Sequence, residues 1–169
     1  MLDKWNSTLK VLPPERLRDT VSRVARPLVF TNGVFDILHA GHVAYLEAAS
    51  AQGSSLVVAL NSDRSARGLG KSGPSGLPGE RPFHALADRA RVVAALACVS
   101  WVTWFDEATP ALLLQALRPE VYVKGGDYRI EDLPETPLVR SWGGRVTIGP
   151  LLPGHSSTAL IEHLRAAAP

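Results

Sequence analysis

Short apolar runs alternate with amphipathic stretches almost from end to end of this chain, and that alternation restricts its fold more than any other feature. Runs rich in β-branched and aromatic residues occupy 28–31, 56–60, 101–105, 121–124 and 146–148. The segments between them suit helices. Residues 42–52 are followed by Gly53, a good C-terminal stop. Residues 85–97 place Leu86, Ala90, Val93 and Ala97 at helical spacing. Thr109-Pro110 reads as an N-cap followed by proline at the first helical position, with Pro119 just past the end. Ser157 and Thr158 are placed to cap a last helix over 159–165. The pattern predicts an α/β fold: a five-stranded parallel sheet joined by right-handed crossovers, with helices on both faces. Such sheets bind ligands at the carboxyl ends of their strands, where the strand order reverses. The loops after Thr31, Leu60, Phe105 and Lys124 are therefore the candidate site.

Two segments stand outside the repeat. Residues 1–26 predict a leading arm and a helix, because Leu17, Val21 and Val24 form one apolar stripe; residues 27–169 then form a single domain. Residues 66–81, rich in Gly, Pro and Ser, predict a long mobile loop of the kind that usually serves function. A length of 169 residues is enough for a real core. The net charge of +2 is too small to argue for nucleic-acid or membrane partners. Cys98 is the single cysteine, which excludes an intramolecular disulfide and a cysteine-based zinc site; its apolar neighbours predict a buried thiol. Residues 1–6 lack the apolar core of a signal peptide, and no run approaches the roughly 20 apolar residues of a membrane span. The expectation is a soluble, cytoplasmic protein.

Chemistry concentrates in residues 30–42, Phe-Thr-Asn-Gly-Val-Phe-Asp-Ile-Leu-His-Ala-Gly-His, between the first strand and the first long helix. His39 and His42 are three apart at a helix start, so both can face one side. Gly41 leaves room for a phosphate near the backbone, and the free N–H groups and dipole of a helix start attract an anion. Two imidazoles at that position suit charge stabilisation on phosphate oxygens. Plain helix capping is the bland alternative. A metal site would need a third ligand, for which Asp36 is the near candidate in sequence.

His39-Ala40-Gly41-His42 resembles the H-x-G-H signature of the nucleotidylyltransferase superfamily. The longer match includes Thr31, Asn32, Gly33, Phe35 and Asp36. Later motifs are Asn61-Ser62-Asp63, Arg81-Pro82, Asp88-Arg89, Lys124-Gly125-Gly126-Asp127-Tyr128 and Ser156-Ser157-Thr158. Their order and spacing are similar to those of the D-glycero-β-D-manno-heptose 1-phosphate adenylyltransferases, the nucleotidyl-transferring half of ADP-heptose synthase, from about residue 28 to 165. The resemblance implies a Rossmann-like nucleotidyltransferase fold. It makes His39, His42 and Lys124 the catalytic residues. Thr31, the start of the first helix and Arg89 would bind phosphate, as would Ser157 and Thr158 at the last helix. Gly125, Gly126 and Asp127 would lie against the nucleotide, with the two glycines permitting close approach. Asp36 would orient the loop or a histidine. Lys71 would swing a charge over the reaction. Asn61, Asp63 and Arg81 would lie toward the acceptor, although Asn61-Ser62-Asp63 also reads as an Asx turn. The loop over 72–80 is longer than the family's connection, and Ser157 stands where threonine is common. Trp101 and Trp104 read as core or interface aromatics; His84, His155 and His163 read as surface or capping residues, with His155 near enough to a motif to reach phosphate.

The implied reaction transfers AMP from ATP to a heptose 1-phosphate, giving ADP-heptose and pyrophosphate, with Mg²⁺ carried mainly by the ATP phosphates. The family implies a homodimer, a role in lipopolysaccharide supply, and a separate heptose 7-phosphate kinase upstream. A cytidylyltransferase acting on glycerol 3-phosphate or a related alcohol phosphate is the alternative; residues 150–155 lack the Arg-Thr-Glu-Gly-Ile run expected in that group. A nucleotide-sensing module without catalysis is the non-enzymatic alternative.

Overall fold

A computed structural model describes residues 6–70, 81–126, 128–157, 160, 161 and 166. Among the described residues there are five strands: β1 (Leu28–Gly33), β2 (Ser55–Asn61), β3 (Trp101–Phe105), β4 (Val121–Gly125) and β5 (Arg145–Gly149). The helices are α1 (Pro14–Thr20), α2 (Ala40–Ser50), α3 (Asp63–Gly68), α4 (Leu86–Ala94), α5 (Ala111–Leu117) and α6 (Thr136–Arg140). All strand pairs are parallel, in the order β3-β2-β1-β4-β5. The chain winds outward from β1 to β3, returns to the other side of β1 and winds outward again. The reversal falls between β1 and β4, where Thr31 pairs with Val123.

The central strands are buried on both faces, as a covered parallel sheet requires. Leu28 and Phe30 join one cluster with Val57, Ala59 and Tyr122, beneath Leu17 of α1, Leu113, Leu114 and Leu117 of α5, and Val139 of α6. Val29, Leu56, Val58, Leu60 and Val123 face the opposite cluster, with Tyr45, Leu46 and Ala49 of α2 and Ala90, Val93 and Ala94 of α4. The period of two along each strand thus assigns every side chain to one helix layer. The leading arm shares this core. Leu12, Leu17 and Val24 are buried in it, and the Leu12 amide donates to the Val102 carbonyl at 2.9 Å, covering the β3 edge.

Several boundaries differ from the sequence expectation. Residues 66–68 of the expected loop belong to α3, whose N-cap Ser62 accepts from the Ser65 amide; Lys71 and the rest of 71–80 lie outside the described residues. Helix α5 takes Pro110 itself as N-cap, so Thr109 does not cap it. Helix α2 ends at Ser50 with Ala51 as a right-handed C-cap; Gly53 is needed because a Cβ there would collide with the Pro27 carbonyl oxygen. Five-residue α6 is too short to leave a periodic pattern. The last helix begins earlier than expected, with Ser157 already helical and the Leu160 amide bonded to the Ser156 carbonyl at 3.0 Å. Cys98 is half-buried rather than buried, and burial raises its thiol pKa. No described helix is long and apolar enough to cross a membrane.

Candidate active site

A crevice of about 890 Å³ opens over the carboxyl ends of β1 and β4, at the reversal of strand order. Its walls come from the β1–α2 turn, the start of α2, the β4 exit and residues 150–152 and 155–157.

The β1–α2 turn is built around a close packing of Gly33 and Phe35. Phe35 takes a left-handed conformation with φ 48°, and a Cβ on Gly33 would lie 2.9 Å from its ring. That turn sets the buried Phe35 ring 5.4 Å from the His42 ring. His39 is the N-cap of α2, in extended conformation, and its Nδ1 accepts from the Gly41 amide at 3.1 Å. In the neutral ring the proton then sits on Nε2, leaving that nitrogen a hydrogen-bond donor. His39 therefore caps the helix and lines the crevice as well. His42 stands 4.0 Å away between ring centroids. Any side chain at Gly41 would press on the His39 ring at 3.0 Å and the His155 Cβ at 3.1 Å. Burial, and secondarily the charge of His155, lower the His39 pKa below its ordinary 6.5.

Across the crevice, Lys124 leaves β4 with its ammonium 3.1 Å from Asn32 Oδ1 and 3.3 Å from the Tyr122 hydroxyl. The Tyr122 hydroxyl donates to the same Asn32 oxygen at 2.7 Å. The ammonium also lies 5.9 Å from the ring centres of Tyr122 and Tyr128. This network fixes a cation opposite the histidine pair. Gly125 and Gly126 line the same wall, and a Cβ on Gly125 would meet the Tyr45 ring at 3.1 Å.

Asp36 is a tether. Its carboxylate accepts from the Phe83 amide at 2.9 Å, the His84 amide at 3.0 Å and Arg81 Nε at 3.1 Å. Burial alone would raise its pKa; the two amides and the Arg81 guanidinium outweigh it and hold the carboxyl below its ordinary value. Asp36 thus locks the β1–α2 turn to residues 81–84, with Arg81 lining the crevice.

Other expected ligands are engaged inside the fold. Arg89, expected to reach phosphate, is 1% exposed. It donates to the carbonyls of His84, Val34 and Asn61 and to the Asp63 carboxylate at 2.6–3.0 Å. Neither it nor Asp63 lines the crevice. Together they clamp the loops that frame it. Thr31 is also below the floor, fully buried, with its hydroxyl 2.6 Å from that of Tyr45. Asn32, Asn61 and Ser157 line the crevice; Asp127 and Thr158 lie outside the described residues.

Sequence reasoning missed Tyr45, Tyr122 and Glu135, and placed Tyr128 in a motif without a role. Tyr45 follows His42 at i+3 on α2, a spacing that puts it on the same face. Its hydroxyl bonds Thr31 and donates to the Val123 carbonyl at 3.0 Å, tying β1, α2 and β4 together beneath the site. Glu135 lies far along the chain in an irregular loop and offers no comparable signal.

Residues 30–162 match the Cytidylyltransferase-like family. The D-beta-D-heptose 1-phosphate adenylyltransferase of Bordetella bronchiseptica is 53% identical over 143 residues, covering 85% of each chain. The bifunctional protein HldE of Streptomyces coelicolor is 53% identical over 141 residues; the match spans 83% of this chain and 29% of that protein. Among solved structures, the lipopolysaccharide core biosynthesis protein of Thermoplasma volcanium superposes with TM-score 0.61 at 25% identity, covering 74% of this chain and 97% of the other. Pantothenate synthetase from Thermus thermophilus shares the fold at 15% identity and TM-score 0.56, covering 82% of this chain and 60% of its own. By family match, by identity and by the histidine pair at the head of α2, the chain belongs to the cytidylyltransferase-like nucleotidyltransferases.

Proposed function

We propose that this chain transfers the adenylyl group of ATP to D-glycero-β-D-manno-heptose 1-phosphate, forming ADP-heptose and pyrophosphate. The observation that carries the reading is the pairing of His39 and His42 at the start of α2 with Lys124 opposite, in a chain 53% identical to a heptose 1-phosphate adenylyltransferase.

An oxygen of the acceptor phosphate attacks the α-phosphorus in line. The new P–O bond forms as the bond to the β-phosphate breaks, and pyrophosphate leaves with the electron pair. The nucleophile is already anionic, so no general base is required. His39 donates from Nε2, and His42 stands beside it, where charge grows on the α- and β-phosphate oxygens. The amides opening α2 add their dipole. Lys124 balances charge from the opposite wall. Asp36 and Arg89 act as positioning residues, holding the loops that present these groups.

Mg²⁺ belongs to this proposal as a passenger of the nucleotide. The phosphate oxygens of ATP would be its chief ligands. When bound, it would neutralise phosphate charge. The proposed setting is the cytoplasm, with a separate kinase supplying the sugar phosphate.

The test is pyrophosphate release from ATP and from CTP, each with the heptose 1-phosphate and with glycerol 3-phosphate. Release with ATP and the heptose alone is expected. Release with CTP and glycerol 3-phosphate alone would keep the reaction class and overturn the assignment of base and acceptor. Silence in all four, from folded protein, would favour a nucleotide-sensing module.

A further inference from the structure

Glu135 is 5% exposed and lines the crevice, yet its Oε2 is buried with no hydrogen-bond partner. A buried carboxylate oxygen without a partner is costly and is normally removed or satisfied. The fold does not use it as a cap: Glu135 occupies the N-cap position of α6, but its side chain makes no capping bond. The backbone around it is independently fixed. The Thr136 hydroxyl donates to the Ile130 carbonyl at 2.6 Å, the Thr136 amide to the Leu133 carbonyl at 3.0 Å, and the Val139 amide to the Glu135 carbonyl at 2.9 Å. The carboxylate is therefore held at the crevice wall by a loop that does not need its charge. Thr103 Oγ1, the other buried side-chain oxygen without a partner among the described residues, is enclosed within β3 and does not line the crevice.

Its position separates it from the histidine pair. Tyr122 packs with Phe30 toward α1, α5 and α6, whereas Val123 and Tyr45 pack on the α2 side, where the histidine pair sits. Glu135 belongs to the Tyr122 side; after burial, its charge is the next cause that raises the Tyr122 pKa. The Lys124 ammonium is on the same side, 3.3 Å from the Tyr122 hydroxyl, and the carboxylate itself repels phosphate. An ionised carboxylate accepts hydrogen bonds and cannot donate them, so its partner must be a donor.

We infer that Glu135 is an acceptor-binding residue, taking hydrogen bonds from the hydroxyl groups of the sugar whose phosphate lies nearer Lys124. The inference rests on the proposed adenylyl transfer and adds what reads the polyol part of the acceptor. It also explains why the fold keeps a buried charge: the bound sugar satisfies it.

The experiment compares wild type, Glu135→Gln and Glu135→Met in steady-state pyrophosphate release, varying heptose 1-phosphate and ATP separately, with Tm measured on the unliganded proteins. Both substitutions are expected to raise KM for the heptose phosphate about 10- to 100-fold, the size of losing hydrogen bonds to a charged acceptor. KM for ATP should stay within about twofold, since phosphate and base contacts are untouched. Tm of Glu135→Met should equal or exceed that of wild type, because a solvation penalty is removed; a purely structural carboxylate would lower it. An unchanged heptose KM in both variants overturns the inference and leaves the reaction standing. A rise confined to the ATP constant assigns the carboxylate to the ribose hydroxyls and overturns it too. Wild type that releases no pyrophosphate with the heptose overturns the reaction itself, and the inference with it.

Discussion

The two histidines have different supports, and this separates their expected behaviour. His42 packs against Phe35 and His39, whereas His39 is fixed by the hydrogen bond from Gly41 to Nδ1. Replacing His42 with alanine should lower kcat by about 10²- to 10³-fold, the usual loss for one transition-state donor, with KM for ATP changed less. A near-wild-type kcat in a folded variant would contradict its role. For His39 the folded pKa is lowered below 6.5, by burial first and then by His155. As pH falls the unfolded chain takes up this proton first. The stability His39 contributes is therefore fully present above about 6.5 and lost as pH falls through the lowered folded value. Protonation would also place a hydrogen on Nδ1, opposing the Gly41 amide. An NMR titration of the free protein should give a His39 midpoint under 6.5; a midpoint above it would contradict this environment. Both histidines were legible in the sequence because their spacing and Gly41 carry the chemistry locally. The fate of Arg89 was not legible, because its partners sit at His84, Val34, Asn61 and Asp63 and meet only after folding.

At the scale of elements, the site is framed by helices and loops that buried polar groups lock together. Arg89 of α4 bonds the β1 exit at Val34 and the β2 exit at Asn61, so it fixes two loops at once. Arg89→Ala should therefore destabilise the fold by about 2–4 kcal/mol, because three carbonyls lose a charged donor and the partly exposed Asp63 its partner. Denaturant unfolding would measure it. Loss of activity with wild-type stability would instead restore Arg89 as a direct ligand. The strand and long-helix positions were legible because apolar period and length are strong local signals. Helices α3 and α6 were not: six and five residues are too few to show a period, and α3 opens within the Asn-Ser-Asp segment that equally reads as a turn. The Pro110 cap was not legible either, since Thr109 offers the side chain while the backbone makes Pro110 the boundary.

For the whole molecule, the order β3-β2-β1-β4-β5 is what converts a repeated strand–helix pattern into one site. Reversal beside β1 leaves a gap between the first turn of each half, and the chain fills it with His39 and His42 from one side and Lys124 from the other. The sequence pattern foretold a crevice at the strand ends, whereas the Asn32–Lys124–Tyr122 network depends on side chains that meet only after folding. In the proposed reaction the histidines and the α2 amides stand where nucleotidyl transfer builds charge, so attack falls on the α-phosphorus. Label transfer tests that directly. With heptose 1-phosphate and ATP labelled at the α-phosphorus, the label should move into a nucleotide-sugar. With ATP labelled at the γ-phosphorus, it should leave in pyrophosphate. Appearance of the γ-label on the sugar, or retention of the α-label in free ADP, would contradict adenylyl transfer by this site.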